Sequence, residues 1–434
     1  MFKDQINTFS ENLAHLRDFV DTISEFLLEK RKDDLKLHIK DIAPLMLAMH
    51  KLNPETYNMD DDLRSRVEAN LSSSVEFEIT DEEDGHKSIK IEMSNEKGER
   101  LDDALRELKK SDHRQESLYS NSLISLISTV EWFIAQLIHQ HYKLNPHVLG
   151  SKDKQFSLDE LGKFETIDDA KNYLIEKTVE SVLRGSIDDW FEFFKLKLNL
   201  SMGYLDDYKK HLIEAAQRRN LLVHNGGVVN RIYLANFANE LGTPPVIGEK
   251  IEVTSAYINE TISLFERCFI LIAAELWKKI NKEDESRGDL MITLGFDHLQ
   301  AERYDIAESL SYFAFSDKTL QEKDRLYAKI NYWIAKKYSG QFEKIKKEIE
   351  NEDFSAKSKL FILAKNILLD NYDDAILDIN YLLTHDDEFV FEHLEIWPLF
   401  RDFRLTDLYQ KLLHEKTSEA TEAKKVTKTA EAKK

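Results

Sequence analysis

The stretch AAQRRNLLVHNGG, residues 215–227, sets two arginines, two asparagines and a histidine into a run that otherwise reads as an apolar helix closed by a glycine pair. On a helix, Asn220 and His224 lie one turn apart on the same face. Arg219 is rotated about 140° from His224, a gap its long side chain can cross. His224 falls in the last turn, where free backbone carbonyls favour a protonated imidazole. Gly226 and Gly227 let the chain leave tightly and keep the imidazole edge accessible. These residue types suit cleavage of RNA without a metal. The ribose 2′-OH must lose a proton, the leaving 5′-oxygen must gain one, and charge on the phosphorane must be stabilised. A histidine near neutral pKa moves protons, an arginine forks onto phosphate oxygens, and Asn220 can position a phosphate or the 2′-OH. Arg218 and Asn225 flank the group as candidate substrate-binding residues. One histidine is short of an acid and a base, and two chains meeting across a two-fold axis would supply both. The plainer reading of the same residues is a polar helix end, with His224 capping carbonyls and the arginines solvated.

The elements that must hold this group read as helices. YLDDYKKHLIEAAQRRNLLVH is the helix of interest, stopped by Gly226-Gly227. SLISLISTVEWFIAQLIHQHY and IDDAKNYLIEKTVESVLRG are helices upstream, the second ended by Gly185. Ser186 to Asp189 resembles a capping box for DWFEFFKLKL. SAYINETISLFERCFILIAAELWKKI closes the set, with Thr254 or Ser255 as N-cap. Several helices with apolar stripes can form a bundle, and residues 113–283 are assigned to one. Glu131, inside an apolar helix, reads equally as a site residue or a partnered core acid. His139 and His141 sit on a helix surface without nameable further ligands.

At the N-terminus, Phe2, Ile6, Phe9, Leu13, Leu16, Val20, Ile23 and Leu27 recur at helical steps over residues 2–30, and LKLHIKDIAPLMLAMHKL is a second helical run. SVEFEITDEEDGHKSIKIEMS then alternates apolar and polar residues on both sides of Asp84-Gly85, the signature of a hairpin at about 74–94. RLDDALRELKK is a charged helix leading out. Residues 1–112 are thus an acidic α+β region.

Beyond residue 285, Tyr304, Tyr338 and Tyr372 stand 34 residues apart, with Ala301, Ala335 and Leu369 each three residues earlier. That is the period of the tetratricopeptide repeat, a helix pair that buries its face by stacking on a neighbour. Residues 284–415 are read as tetratricopeptide-like, although the Trp and Gly positions of the full pattern are mostly lost. Residues 416–434 are low-complexity Lys, Ala, Thr and Glu and read as a disordered tail.

The chain has 434 residues, more than one core usually supports, with 42% apolar residues, 13 Gly and 6 Pro. Sparse Gly and Pro argue for a mainly α protein. The single cysteine, Cys268, excludes internal disulfides and cysteine zinc sites and reads as a buried core residue. No metal or cofactor is expected. No signal peptide is read at the N-terminus, and the apolar stretches look broken by charge short of the roughly 20 residues that span a bilayer. A cytoplasmic protein without membrane contact is the expectation. The net charge is −20, about −10 over residues 1–112, about −3 over 113–283 and about −7 over 284–434. Bulk charge opposes nucleic acid, and the segment holding the His224 cluster is the least acidic.

The run RRNLLVHNGGVV, Arg-Asn-x-x-x-His followed by Asn and Gly, resembles the signature of the HEPN superfamily, and its helical surroundings over roughly residues 114–282 are similar. Arg219 and His224 match with four residues between, and Asn220 matches the polar residue that commonly follows the arginine. The resemblance implies a metal-independent endoribonuclease, homodimeric through the bundle, leaving 2′,3′-cyclic phosphate and 5′-OH ends. It also implies a setting in antiviral defence (abortive infection) or toxin–antitoxin systems. The acidic surface expected of the repeats suits a protein partner better than RNA. Some HEPN members have lost activity, so the alternative is a non-catalytic scaffold of bundle and helical repeats that binds protein.

Overall fold

Apolar residues at helical spacing carry one unbroken helix from Phe2 to Leu52 (α1). Two helices were expected here. The charged link Arg31–Asp34 holds neither Gly nor Pro, so the helix runs through it. Pro44 lies inside and removes one backbone donor without ending it. The computed structural model describes residues 2–57, 59, 61–71, 75–81, 87–149, 156–238 and 245–416. The expected turn at Asp84-Gly85 and the tail beyond Lys416 lie outside the described residues.

After α2 (Asp61–Leu71), β1 (Val75–Asp81) and β2 (Lys87–Met93) pair antiparallel. The register sets Val75 against Met93, Phe77 against Ile91 and Ile79 against Ile89, which puts the apolar side chains on one face. Val75 joins Ala43, Leu47 and Val67 in a small core, with Phe77, Ile91 and Met93 packed on it. α3 then runs from Asn95 to Leu144, so the expected boundary at residues 112/113 falls inside a continuous helix. The charged and the apolar runs read from sequence are its two halves. By length and composition α3 is apolar enough to cross a membrane, since Glu131 alone does not break its apolar stretch. Half of that window is buried inside the protein, as in a core helix.

α4 (Leu158–Leu161), α5 (Ile167–Leu183), α6 (Ile187–Glu192), α7 (Lys209–His224), α8 (Arg231–Phe237) and α9 (Ser255–Ile280) follow. Ser186 and Asp189 form the expected capping box at the start of α6, and the Thr254 hydroxyl accepts the Tyr257 N–H at 3.1 Å to cap α9.

Two compact units emerge. One holds residues through Glu11, Thr129–Ile213 and Thr261 onward; the other holds Asn12–Ser128 and Glu214–Glu260. The first therefore contains residues on both sides of position 284. In its core Phe9 stacks on Phe133 at 4.1 Å, Phe2 on Trp277 at 6.0 Å and Phe191 on Phe269 at 6.1 Å. Cys268 is buried there, and burial pushes its thiol up to about 12. In the second unit the Ser24 hydroxyl donates to Tyr119 at 3.1 Å and Arg31 pairs with Asp112 at 2.9 Å.

The helices α10 (Ser286–Gln300), α11 (Tyr304–Ser316), α12 (Glu322–Lys336), α13 (Phe342–Asn351), α14 (Lys359–Leu368) and α15 (Tyr372–His385) form three successive pairs, followed by the short α16 (Phe391–Ile396). The 34-residue period has a physical counterpart. Tyr304 and Tyr338 lie 5.9 Å apart, and Tyr372 packs at 5.5 Å on Phe403, which continues the series. Tyr304 and Tyr372 each begin the second helix of a pair, two residues after a left-handed residue, Glu302 (φ 57°) and Asp370 (φ 60°). The middle pair departs from this. A π-type turn over Lys337–Gln341 carries the left-handed position to Gly340 (φ 76°), and α13 starts four residues beyond Tyr338.

Small residues let α10 pack closely on α11 and on the link that follows it. A Cβ on Gly288 would meet Leu320 at 2.7 Å, and one on Gly295 would meet the Ser311 hydroxyl at 2.9 Å. Gly288→Val is therefore expected to lose about 1–3 kcal/mol through overpacking. Gly98→Ala, with nothing within 4 Å of the added carbon, should gain about 0.5–1 kcal/mol from the helix preference alone. Urea unfolding of both variants checks the contrast, and equal effects would refute the close packing of α10.

Candidate functional site

α7 ends at His224, and Gly226 (φ 59°) and Gly227 (φ 78°) take left-handed backbone that other residues resist. Backbone hydrogen bonds tie the turn on both sides of Gly226. The Asn225 and Gly227 N–H groups both donate to the Leu221 carbonyl at 2.9 Å, and Val228 N–H donates to the Asn225 carbonyl at 3.0 Å. A neighbouring segment then locks it. Ile251 N–H donates to the Gly227 carbonyl at 2.7 Å and Val229 N–H to the Glu249 carbonyl at 2.8 Å, with Val228 bridged antiparallel to Lys250.

Within this frame the five candidate residues divide. His224 is exposed, and among the described residues nothing is hydrogen-bonded to its ring. Arg219 and Asn220 are half-buried and joined, the guanidinium donating to the Asn220 side-chain oxygen at 3.2 Å. Asn225 is exposed, and its side-chain N–H donates to the Val228 carbonyl at 2.5 Å, so its first role is to close the turn.

Arg218 does not fit the substrate-binding role expected of it. It is 7% exposed, and its donors are taken by Glu214 at 2.7 Å, by the Glu252 carbonyl at 2.7 Å and by the Tyr233 hydroxyl at 3.3 Å. Its guanidinium also lies 3.9 Å over the Tyr257 ring. Burial works against its charge, but Tyr257, Glu214 and Tyr233 hold its pKa above the ordinary guanidinium value.

Glu214, Tyr233 and Tyr257 were not singled out in the sequence. Both tyrosine hydroxyls donate to the Glu214 carboxylate, Tyr257 at 2.6 Å. Burial, and then the neighbouring Glu214 charge, raises both phenols above their usual range, so they stay protonated donors. The readable signal was the four-residue step from Glu214 to Arg218, which places opposite charges together on a helix.

Elsewhere, Glu131 is half-buried and partnered. His139 lines a shallow groove with Glu176, Glu180 and Arg184. His141 is buried, and neither ring nitrogen has a hydrogen-bond partner. Among the described residues no group of three or more His, Cys, Asp or Glu is placed to hold a metal ion. Compared with models of known protein families, with curated proteins and with solved structures, the chain matches none.

Removing the Glu214 carboxylate leaves a buried guanidinium uncompensated. Glu214→Ala should cost about 3–5 kcal/mol of stability, and Tyr257→Phe about 1.5–3 kcal/mol for one hydrogen bond to a charged group. Denaturant titration checks both, and a loss under about 1 kcal/mol for Glu214→Ala would show the pair to be solvated.

His141 gives a pH effect of fixed sign. Burial first, and then the charge of Lys279, depresses its pKa in the fold. The fold disfavours the charged imidazole, so as pH falls through the unfolded value of about 6.5 the unfolded chain binds more protons at this site than the folded chain. Stability should fall from pH 7 to pH 5, and His141→Leu should flatten that part of the profile. Parallel slopes for the two proteins would rule His141 out as the cause.

Proposed function

We propose that the chain is a metal-independent endoribonuclease of HEPN type, acting through Arg219, Asn220 and His224. The observation that carries this reading is the exposed His224 imidazole, without a partner among the described residues, at the end of a helix whose following turn is held by at least six backbone hydrogen bonds or bridges. A ring with no structural bond, on a rigid support, is suited to proton transfer. The resemblance of Arg219-Asn-x-x-x-His224 to the HEPN signature supplies the reaction class. The family comparison does not add to it.

In this reading His224 of one chain takes the 2′-OH proton, and the 2′-oxygen attacks the adjacent phosphorus. His224 of a second chain gives a proton to the departing 5′-oxygen. Arg219 pairs with the non-bridging oxygens as charge grows there, and Asn220 orients Arg219 or the ribose. The products are a 2′,3′-cyclic phosphate and a 5′-OH. Cytoplasmic action, a homodimer through the helices around α7, and a role in antiviral defence (abortive infection) or as a toxin belong to the same proposal. So does a protein partner on the helical repeats.

The test is incubation of the purified full-length protein with RNA in EDTA. Cleavage should fall about 10²–10⁴-fold in His224→Ala and about 10²–10³-fold in Arg219→Ala, with helical content and oligomeric state unchanged. Arg218→Ala should instead lower stability, with activity lost only as the fold is lost. Folded His224→Ala that still cuts, or products ending in 3′-OH, would refute the assignment. Light scattering should report a dimer at micromolar concentration, and a monomer that cleaves would refute the shared site.

A further inference from the structure

With the donors of Arg218 taken inside the fold, Arg219 is the one guanidinium of RRNLLVHN left for a substrate phosphate. RNA carries a phosphate at every nucleotide, and affinity for it comes largely from cations set against several of them. The fold brings further cations to the His224 turn from later in the sequence.

Residues 227–230 run antiparallel to residues 248–251 as a short ribbon. The Ile251 N–H donates to the Gly227 carbonyl and the Val229 N–H to the Glu249 carbonyl, so Val228 and Lys250 are the close, non-hydrogen-bonded pair between those bonds. In such a pair the two side chains stand on one face. Burial alternates to match. Gly227, Val229, Ile251 and Val253 are buried, Val228 is half-buried, and Lys250 and Glu252 are exposed. Lys250 therefore stands on the outer face of the ribbon. Gly226 and Val228 are separated by roughly 7 Å of extended chain, so the Lys250 stem begins close to the turn.

At the other end of the ribbon Arg231 opens α8 and is exposed. Side chains on a helix lean toward its N-terminus, here back toward the ribbon. Among the described residues neither Lys250 nor Arg231 makes a hydrogen bond or an ion pair. In a chain of net charge −20 many basic groups sit on carboxylates, as Arg184 does on Glu180 and Lys337 on Asp370. Two unpaired cations thus follow the His224 turn along one short ribbon. Glu252, two residues from Lys250 on the same face, is the opposing charge.

We propose that Lys250 and Arg231 bind backbone phosphates beside the bond that is cut, so that RNA crosses the His224 turn and leaves along this ribbon. The inference rests on the reading of His224 as the residue that moves protons. The 2′-oxygen, the phosphorus and the departing 5′-oxygen must come into line, which a stacked A-form helix does not allow, so the bound RNA is single-stranded at the cut. Contacts to phosphates position the strand without reading its bases.

The probe is a fluorescent single-stranded 2′-O-methyl oligoribonucleotide, which lacks the attacking hydroxyl and cannot be cut. Its anisotropy is titrated with the full chain over a series of salt concentrations. Lys250→Gln and Arg231→Gln should each weaken binding about five-fold at about 0.1 M salt and make the slope of log K against log [salt] shallower by about 0.7. Glu252→Gln should tighten binding. Lys347→Gln, which removes the same charge from an exposed position on α13, should leave the slope unchanged. With cleavable RNA, Lys250→Gln should raise KM more than it lowers kcat, as for a residue that binds without reacting. An unchanged slope in Lys250→Gln, beside cleavage that still depends on His224, overturns this inference and leaves the proposed activity standing. A Lys250-dependent slope in a protein that cuts no RNA supports the contact and overturns the activity. Equal effects of Lys250→Gln and Lys347→Gln would trace the loss to bulk charge and overturn the ribbon as the path. No binding of the probe at about 50 mM salt overturns it as well.

Discussion

The buried ion pair of Glu214 and Arg218 constrains everything around the His224 turn. A guanidinium and a carboxylate this dry are tolerated only when nearly all their hydrogen-bonding positions are filled. The filling partners come from separate pieces of chain. Tyr233 is on α8, Tyr257 on α9, and the Glu252 carbonyl lies on the segment that bridges Val228. Satisfying one pair of charges on α7 therefore fixes α8, the start of α9 and residues 249–252 at once. The turn at 225–228 then has one way to run. Asn230 continues the same arrangement, capping α8 by accepting the Tyr233 N–H at 2.9 Å.

A second buried pair does comparable work in the other unit. Arg287 and Asp317 are fully buried, 2.9 Å apart. Arg287 also donates to the carbonyls of Asn281 and Asp284 and to the Thr319 hydroxyl. Burial alone would raise the Asp317 pKa, but hydrogen bonds from Thr319 and Arg287 hold it below the usual carboxylate range. The link between α9 and α10 is thus wrapped around one arginine. Further along, Glu266 on α9 accepts from Ser10 at 2.8 Å and lies 3.4 Å from His298 on α10. Two of those partners lie on opposite sides of position 284, where the change in sequence pattern suggests a border. The repeats begin there as a pattern, while the packing carries on across it.

What could be read from the sequence was local. The alternation around β1 and β2, the Ser186 cap, the Gly226-Gly227 stop, the Thr254 cap and the 34-residue tyrosine period each rest on chemistry within a few residues, or on exact repetition, and each is present in the fold. Helix lengths were not legible at Arg31–Asp34 or near residue 112, because charged runs without Gly or Pro propagate a helix as well as end it. The Glu214 network was missed because its tyrosines are 19 and 43 residues away, and nothing in their spacing announces a common partner. The shift of α13 was hidden for a related reason. Tyr338 keeps the period while the left-handed residue moves to Gly340.

A short motif gains or loses meaning according to how many of its residues the fold already explains. RRNLLVHN offers five polar side chains of similar promise. Arg218 is accounted for by burial and three hydrogen bonds, and Asn225 by the turn it closes. Neither needs a substrate to explain its presence. His224 differs, since an exposed imidazole bonded to nothing among the described residues contributes little to holding α7 in place, and a lysine or glutamine would end the helix as well. Arg219 and Asn220 are held against each other one turn behind it. His224 is the residue that folding accounts for least, and the proposed cleavage rests on it, with Arg219 and Asn220 beside it. The acidic balance of the chain works against that reading. With −20 overall, long-range electrostatics oppose RNA, so the proposed cleavage would depend on a few directed groups at short range, where a bidentate arginine can outweigh repulsion screened within about 8–10 Å.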